Sequence, residues 1–369
     1  MNRMKLGEIL SVKHGWAFKG EYFAEDGEQS ILTPGNFFEK GGFKPNNGKE
    51  RYYTGTYPKE YLCHKGDLIV AMTQQAEGLL GSTALVPENN KYLHNQRIGL
   101  ITCDEKRLNK LFAYYLFMTK SVREQLERSS SGTKVKHTSP EKIYDVEVEI
   151  PDVNSQQKIA NLLWFIDEKI ANNNAINDNL EQQMHLIFEN MMAKAATHKL
   201  SGEYTIAQNL ATVVTGKEDA NFSVPNGKYK FFTCSNTPLL CDEYVFDSSS
   251  ILIAGNGDFN VKHYSGKFNA YQRTYVLTPD KKYFGLLYLA SLYRINSFKS
   301  RSSGSIVKFI TKSDVENIPV FIPNNMFYLQ ELNKLIYLQE QNKLENELLV
   351  NLRDWLLPML MNGQATISD

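Results

Sequence analysis

From Ser155 to about Met192 the chain has neither proline nor glycine, and apolar residues recur with a seven-residue period. One row reads Ile159, Ile166, Asn173, Leu180, Ile187, and the other Leu163, Ile170, Asn177, Met184, Met191. This spacing predicts an α-helix with one apolar seam, about 57 Å long at 1.5 Å per residue. Tyr328 to Leu357 repeats the pattern, with Leu335, Asn342, Leu349, Leu356 in one row and Leu338, Glu345, Leu352 in the other. That predicts a second helix of about 45 Å, ended by Pro358. Gly202 is expected at the exit of the first helix and Gly363 at the close of the second. Helices this long outrun a small domain, so the pattern favours an antiparallel pair. Its interface would hold Ile159, Leu163, Ile166, Ile170, Leu180 and Met184 on one side. Leu335, Leu338, Leu349 and Leu352 would face them. Polar residues in mid-seam weaken such a pairing and set its register. The alternative is that each helix caps only its own domain.

The segments before the helices resemble each other. SSGTKVKHTSPEKIYDVEVEIP (130–151) lies over SSGSIVKFITKSDVENIPVFIP (302–323) at an offset of 172, with eight of 22 positions identical. His94-Asn95-Gln96-Arg97 answers Ala270-Tyr271-Gln272-Arg273 at 176, Lys65–Ala71 answers Ser248–Ala254 at 183, and LGEILSVKHG (6–15) answers AQNLATVVTG (207–216) at 201. The first copy therefore carries 29 extra residues, as expected of surface-loop insertions. A duplicated domain follows. The expected division is 1–152, a domain; 153–199, the first helix; 200–323, the second domain; 324–369, the second helix and tail. The fold class is α/β (α+β): two domains, each with a small mixed or mostly antiparallel sheet, related by a pseudo-twofold axis and separated by the helix pair. The stripe Phe112–Phe117 reads as packing against a sheet.

Composition adds bounds. At 369 residues, 42% hydrophobic and 22% charged, the chain suits two globular domains with connectors. Its four cysteines form no C-x-x-C pair and its histidines are scattered, which disfavours structural zinc and suits a reducing cytoplasm. The first residues lack the apolar run of a secretory signal, and no stretch is long enough for a membrane span. Net charge is zero, yet residues 106–142 hold nine Lys/Arg against three acids, and 262–308 hold nine against one. Two such tracts suit two stretches of phosphate backbone, or a solvated mixed surface.

The order domain, helix, domain, helix, with internal repetition, resembles the specificity (S) subunit of type I restriction–modification enzymes. The LGEIL-like strand leading to a glycine, the KGDLIVA-type strand, the SSG…IP segment and the terminal LRDWLLPMLMNGQ (352–364) carry the resemblance, which covers essentially the whole chain. It implies a non-catalytic, sequence-specific DNA-binding subunit that reads a bipartite, asymmetric site in double-stranded DNA. Its implied partners are two methyltransferase subunits with S-adenosylmethionine, acting on N6 of adenine, and two restriction subunits with ATP and Mg. A protein-interaction scaffold built from duplicated domains, and a nuclease or methyltransferase with an unfamiliar site, stay open as alternatives. No strand–GxGxxG–helix unit, no Walker-type loop and no Asn/Asp-Pro-Pro-aromatic tetrapeptide is present. Asp145, Glu147 and Glu149 alternate as on a strand, but no catalytic lysine follows them and the second copy lacks them.

Base reading calls for Arg, Lys, Asn and Gln at strand ends. In the first copy these are Gln74, Gln75, Gln96 and Arg97. In the second they are Asn256, Asn260, Lys262, Gln272 and Arg273. A structural role for the recurring Gln-Arg pair is the alternative. Phosphate binding is expected at Ser131-Gly132 with Lys134 and Lys136, and at Ser303-Gly304 with Lys308, where glycine lets backbone N–H groups converge.

Overall fold

A computed structural model describes residues 1–46, 48–74, 76–132, 135–257, 259–301 and 309–367, with backbone alone at 298–301. The chain forms two compact units, Met1–Lys169 with Leu348–Asp369, and Ile170–Glu347.

In the first unit a four-stranded antiparallel sheet has the order Leu10–His14, Ile98–Cys103, Leu68–Ala71, Thr83–Leu85. Helices α1 (Lys110–Leu116) and α2 (Lys120–Ser129) start where Asn109 and Thr119 accept backbone N–H groups of Phe112 and Val122. Helix α3 (Pro140–Tyr144) starts at Ser139, and Asn2–Lys5 pairs with Glu147–Ile150. Phe112, Tyr115, Leu116 and Phe117 are buried against Val12, Leu68, Val70 and Ile101, the packing expected of that stripe. Glu147 and Asp145 are exposed and pair with Arg3 and Lys5. A second sheet has two-residue strands, Phe23–Ala24, Ser30–Ile31, Tyr52–Tyr53 and Tyr92–Leu93.

The second unit has a six-stranded sheet in the order Ala211–Thr215, Thr274–Pro279, Phe246–Ala254, Val261–Ala270, Tyr229–Phe232, Leu239–Cys241. Only the Tyr229–Phe232/Val261–Ala270 contact is parallel. The pairing registers repeat those of the first unit at the sequence offsets. Leu10↔Cys103 becomes Ala211↔Pro279, Leu68↔Ile101 becomes Ile251↔Leu277, and Asn2↔Ile150 becomes Glu203↔Ile322. A one-residue slip would turn every buried side chain outward, so three retained registers establish the duplication at the level of packing.

Helix α4 is Val153–Ala196, 44 residues. It is capped by Asp152, whose carboxylate accepts from the N–H groups of Asn154 and Ser155 and from the Ser155 hydroxyl. Helix α5 (Phe284–Arg301) and α6 (Lys312–Glu316) follow, then α7, Phe327–Met361, 35 residues. Pro358 does not end α7, which runs on to Met361. Gly363, at φ +68°, closes it with N–H groups of Gly363 and Gln364 on the carbonyls of Leu360 and Met359. The same motif closes α4, but at His198, φ +54°, rather than at Gly202. Gly202 instead begins a strand, where a Cβ would lie 2.3 Å from the Ile322 carbonyl oxygen.

Within the second unit α4 and α7 pack antiparallel. Asn173 donates to Glu345 and Asn346, and Asn342 donates to Asn177. Within the first, Arg353 donates to Asp167 at 2.8 Å. Ile159, Leu163, Ile166, Leu180, Met184 and Leu335 are buried, while Ile170 and Leu349 are half-buried. Leu338 and Leu352 are exposed, at 41% and 43%, and do not belong to the seam. Their row is displaced by one position: Leu332, Gln339, Asn346, Arg353 and Leu360 face inward or bond across. Hydrogen-bonded polar groups hold the inner positions, so apolar character alone misplaces that side of α7. Among the described residues no helix is long and apolar enough to cross a membrane.

Candidate nucleic-acid interface

Three segments that recur in sequence meet at one place in each unit. In the first, the Met72 N–H donates to the Arg97 carbonyl, and the Met72 carbonyl accepts from the Thr138 N–H. In the second, the Gly255 N–H donates to the Arg273 carbonyl, and the Gly255 carbonyl accepts from the Ile310 N–H. The offsets are again those of the sequence. The strand end, the Gln-Arg pair and the closing segment are thus held together by the same two hydrogen bonds twice. Gly15 and Gly216 lie beside these points, and a Cβ on either would sit 2.1 Å from a carbonyl oxygen, of Asn95 or Ala270.

Gln96 and Arg97 are exposed on this edge, and Gln74 is half-buried beside them. Their turn is fixed by His94, whose Nε2 lies 2.8 Å from the Ile98 carbonyl oxygen while Nδ1 is buried without a partner. That geometry makes Nε2 the protonated nitrogen of a neutral ring. Burial lowers the His94 pKa to about 4. An unfolded histidine takes up its proton near pH 6.5, so the unfolded state binds more protons between the two values. Stability of the first unit is therefore expected to fall by about 3 kcal/mol as pH drops from 6.5 to 4, and to level off below. Urea titrations across this range, compared with His94→Gln, check it: the variant should lack most of the slope.

A cavity of about 470 Å³ opens beside the Gln-Arg pair. Asn95, Gln96 and Arg97 form one wall, and Phe18, Phe23, Thr33, Asn46, Lys49 and Arg51 the others. Lys49, Arg51 and Arg97 make no ion pair among the described residues. Most of this lining comes from residues 17–62, none of which is among those expected to read bases. Its signal was the run Lys44-Pro45-Asn46-Asn47-Gly48-Lys49-Glu50-Arg51, dense in Asn and cations.

The phosphate candidates fare differently. Ser131 and His137 exchange both backbone hydrogen bonds, so the Ser131 N–H is spent inside the hairpin. Gly132, at φ +101°, is required there, since a Cβ would meet the Val135 carbonyl at 2.1 Å. Lys136 is paired with Glu127. The 106–142 tract is largely tied down in the same way. Arg123 donates to the carbonyls of Phe117, Gly78 and Leu80, burial lowering its pKa to about 10, and Arg128 and Lys120 pair with Glu124. Among the described residues of this edge, Lys49, Arg51 and Arg97 are cations without an ion pair. Gln75, Lys134, Ser303, Gly304 and Lys308 lie outside the described residues.

In the second unit Gln272 and Arg273 are exposed and Asn256 is half-buried. Asn260 and Lys262 are turned inward. Asn260 Nδ2 donates to the Cys234 carbonyl at 2.8 Å, and Lys262 Nζ donates to the carbonyls of Thr233 and Ser235. Burial lowers the Lys262 pKa. Both side chains pin the 233–235 loop, which the Cys234 thiol ties to the Arg273 carbonyl.

The family model described as "Type I restriction modification DNA specificity domain" matches residues 1–182 and 210–349. The chain belongs to this family. It is 36% identical over 164 residues to the type I restriction enzyme EcoDI specificity subunit of Escherichia coli, covering 42% of this chain and 37% of that protein. It is 22% identical over 304 residues to the MjaIX specificity subunit of Methanocaldococcus jannaschii, covering 70% and 69%. The chain spans under two fifths of the length of the first of these relatives. Its fold matches the crystal structure of a type I restriction-modification system S subunit from M. genitalium, with a TM-score of 0.64 at 18% identity, over 100% of this chain and 96% of that one.

Proposed function

We propose that the chain is the DNA-reading subunit of a type I restriction–modification complex, with each unit reading one part of a bipartite, asymmetric site. The observation that carries this is the twofold recurrence of one scaffold point with different surroundings. Residues 72, 97 and 138 meet as 255, 273 and 310 do, yet the first unit surrounds its point with the Lys49–Arg51 cavity and the second with the 233–235 loop. Same frame and different contacts suit two different half-sites.

In this reading the chain carries no catalysis. Two methyltransferase subunits dock on the long helices and bring S-adenosylmethionine to N6 of adenine, and restriction subunits supply ATP- and Mg-dependent cleavage. Exposed apolar side chains on the helices, Leu348, Leu352 and Trp355 on α7 and Ile176 and Leu186 on α4, support a partner-covered surface.

Arg97→Gln and Arg273→Gln test the reading. Coexpressed with the methyltransferase, each should weaken or relax only one part of the methylated motif. A lost bidentate contact to a base edge costs about 1–3 kcal/mol, roughly fivefold to 150-fold in affinity. Modification-sensitive sequencing gives the motif directly. If both variants methylate the parental motif at parental efficiency, the arginines do not read bases.

A further inference from the structure

The cavity beside Arg97 has a composition that duplex recognition alone does not require. Its charged side chains are all cationic, Lys49, Arg51 and Arg97, with no carboxylate on its walls. Phe18, 9% exposed, and Phe23, 37% exposed, supply aromatic surface, and Asn46 and Asn95 bring amide groups to the same space. The Asn95 Oδ1 is occupied by the Arg97 N–H at 2.9 Å, which holds the residue in place and leaves its NH₂ as the available donor. Arg51 is anchored through its carbonyl, which accepts from the Ile31 N–H at 2.7 Å. A volume of about 470 Å³ falls in the range of small-ligand pockets, and stacked base pairs cannot enter a concavity of this kind. Asn95, Gln96 and Arg97 are answered in the second unit by Tyr271, Gln272 and Arg273, but Lys49 and Arg51 fall in the stretch where the first copy is longer.

We infer that this cavity is a binding site for one unstacked nucleotide. The phosphate would lie between Arg51 and Lys49, the base against the phenylalanines, and its polar edge at Asn46 and Asn95. Charge-assisted hydrogen bonds from guanidinium groups favour phosphate, and aromatic faces favour any base. The nucleotide has two sources, a free mononucleotide or one extruded from the bound DNA, as happens to bases on which enzymes do chemistry. The free source is independent of the target-reading role; the DNA source rests on it.

Calorimetry with the full chain distinguishes the parts. The probes are the four deoxynucleoside 5′-monophosphates, the corresponding nucleosides, deoxyribose 5-phosphate and inorganic phosphate. At least one monophosphate should bind ten times more tightly than inorganic phosphate and than its own nucleoside. Arg51→Gln and Phe23→Ala, both at exposed positions, should each weaken it tenfold or more. A second arm uses duplexes carrying the methylated motif with 2-aminopurine at successive positions. A fluorescence rise at one position, lost in Arg51→Gln, identifies DNA as the source; monophosphate binding without such a rise identifies the free nucleotide. Inorganic phosphate binding as well as every nucleotide, or neither arm responding to Arg51→Gln, overturns the site. An unchanged methylation motif alongside those negative results overturns the cavity's role and leaves the reading of DNA by the chain intact.

Discussion

A fragment ending at residue 199 is expected to form a homodimer and, with the methyltransferase, to methylate an interrupted palindrome built from one half of the parental motif. The cut removes residues 348–361 from the first unit, where Leu360 and Met361, each 2% exposed, pack with Leu163 and Ile159. Burying such side chains again is worth about 1.5–3 kcal/mol each before entropic costs, so the exposed seam seeks a replacement. The end of α4 supplies one. Its closing residue His198 corresponds to Gly363 of α7, 165 positions on, so Met191, Ala195 and Ala196 correspond to Leu356, Leu360 and Met361. By the same correspondence the Asn342–Asn177 hydrogen bond becomes Asn177 against Asn177 of the second copy, on the twofold axis of an isologous pair. Asp167 would then face Phe188 in place of Arg353. Phe188→Arg in the fragment should accordingly tighten the dimer. Sedimentation and the methylome of cells expressing the fragment decide the matter. A folded monomer, or an asymmetric motif, would refute the duplicated-half account.

In the intact chain Asp167→Leu should destabilise the first unit by about 3 kcal/mol, and Asp167→Leu with Arg353→Leu should recover part of that. Asp167 accepts from the Arg353 guanidinium at 2.8 Å and from the Tyr115 hydroxyl at 2.7 Å, and both charged side chains are about four fifths covered, at 23% and 21% exposure. Removing Asp167 leaves Arg353 with Asp354 alone and the buried Tyr115 hydroxyl without its acceptor, whereas removing both charges leaves only that hydroxyl uncompensated. Urea unfolding followed by a probe of the first unit should show the midpoint fall in the single variant and rise part of the way back in the double one. Equal losses in both would mean that the ion pair contributes outright.

Much of the architecture was legible in the sequence because duplication amplifies weak signals. The offsets 201, 183, 176 and 172 are the offsets of the strand registers and of the hydrogen bonds at residues 72 and 255. The seam of α4 was legible because its inward residues are mostly apolar. That of α7 was half hidden, since Gln339, Asn346 and Arg353 face inward on hydrogen bonds while Leu338 and Leu352 point out. Site residues were harder. Lys136, Asn260 and Lys262 have the right chemistry, but nothing local in sequence shows that Glu127 or the 233–235 carbonyls consume them. Lys49 and Arg51 were overlooked because they belong to the unpaired insertion, where a repeat comparison is blind.

The cysteines have a practical consequence. Burial pushes the Cys63 and Cys103 thiols up to about 12 and raises that of Cys241, so these three hold little thiolate near neutral pH. Cys234, half-exposed on the loop that touches the Arg273 carbonyl, is left as the thiol best placed for alkylation. A maleimide dye added to the unmodified chain should therefore settle chiefly on that loop. The protein comes with its own attachment point for a fluorophore or spin label beside the second unit's Gln272-Arg273 edge, without a single engineered cysteine.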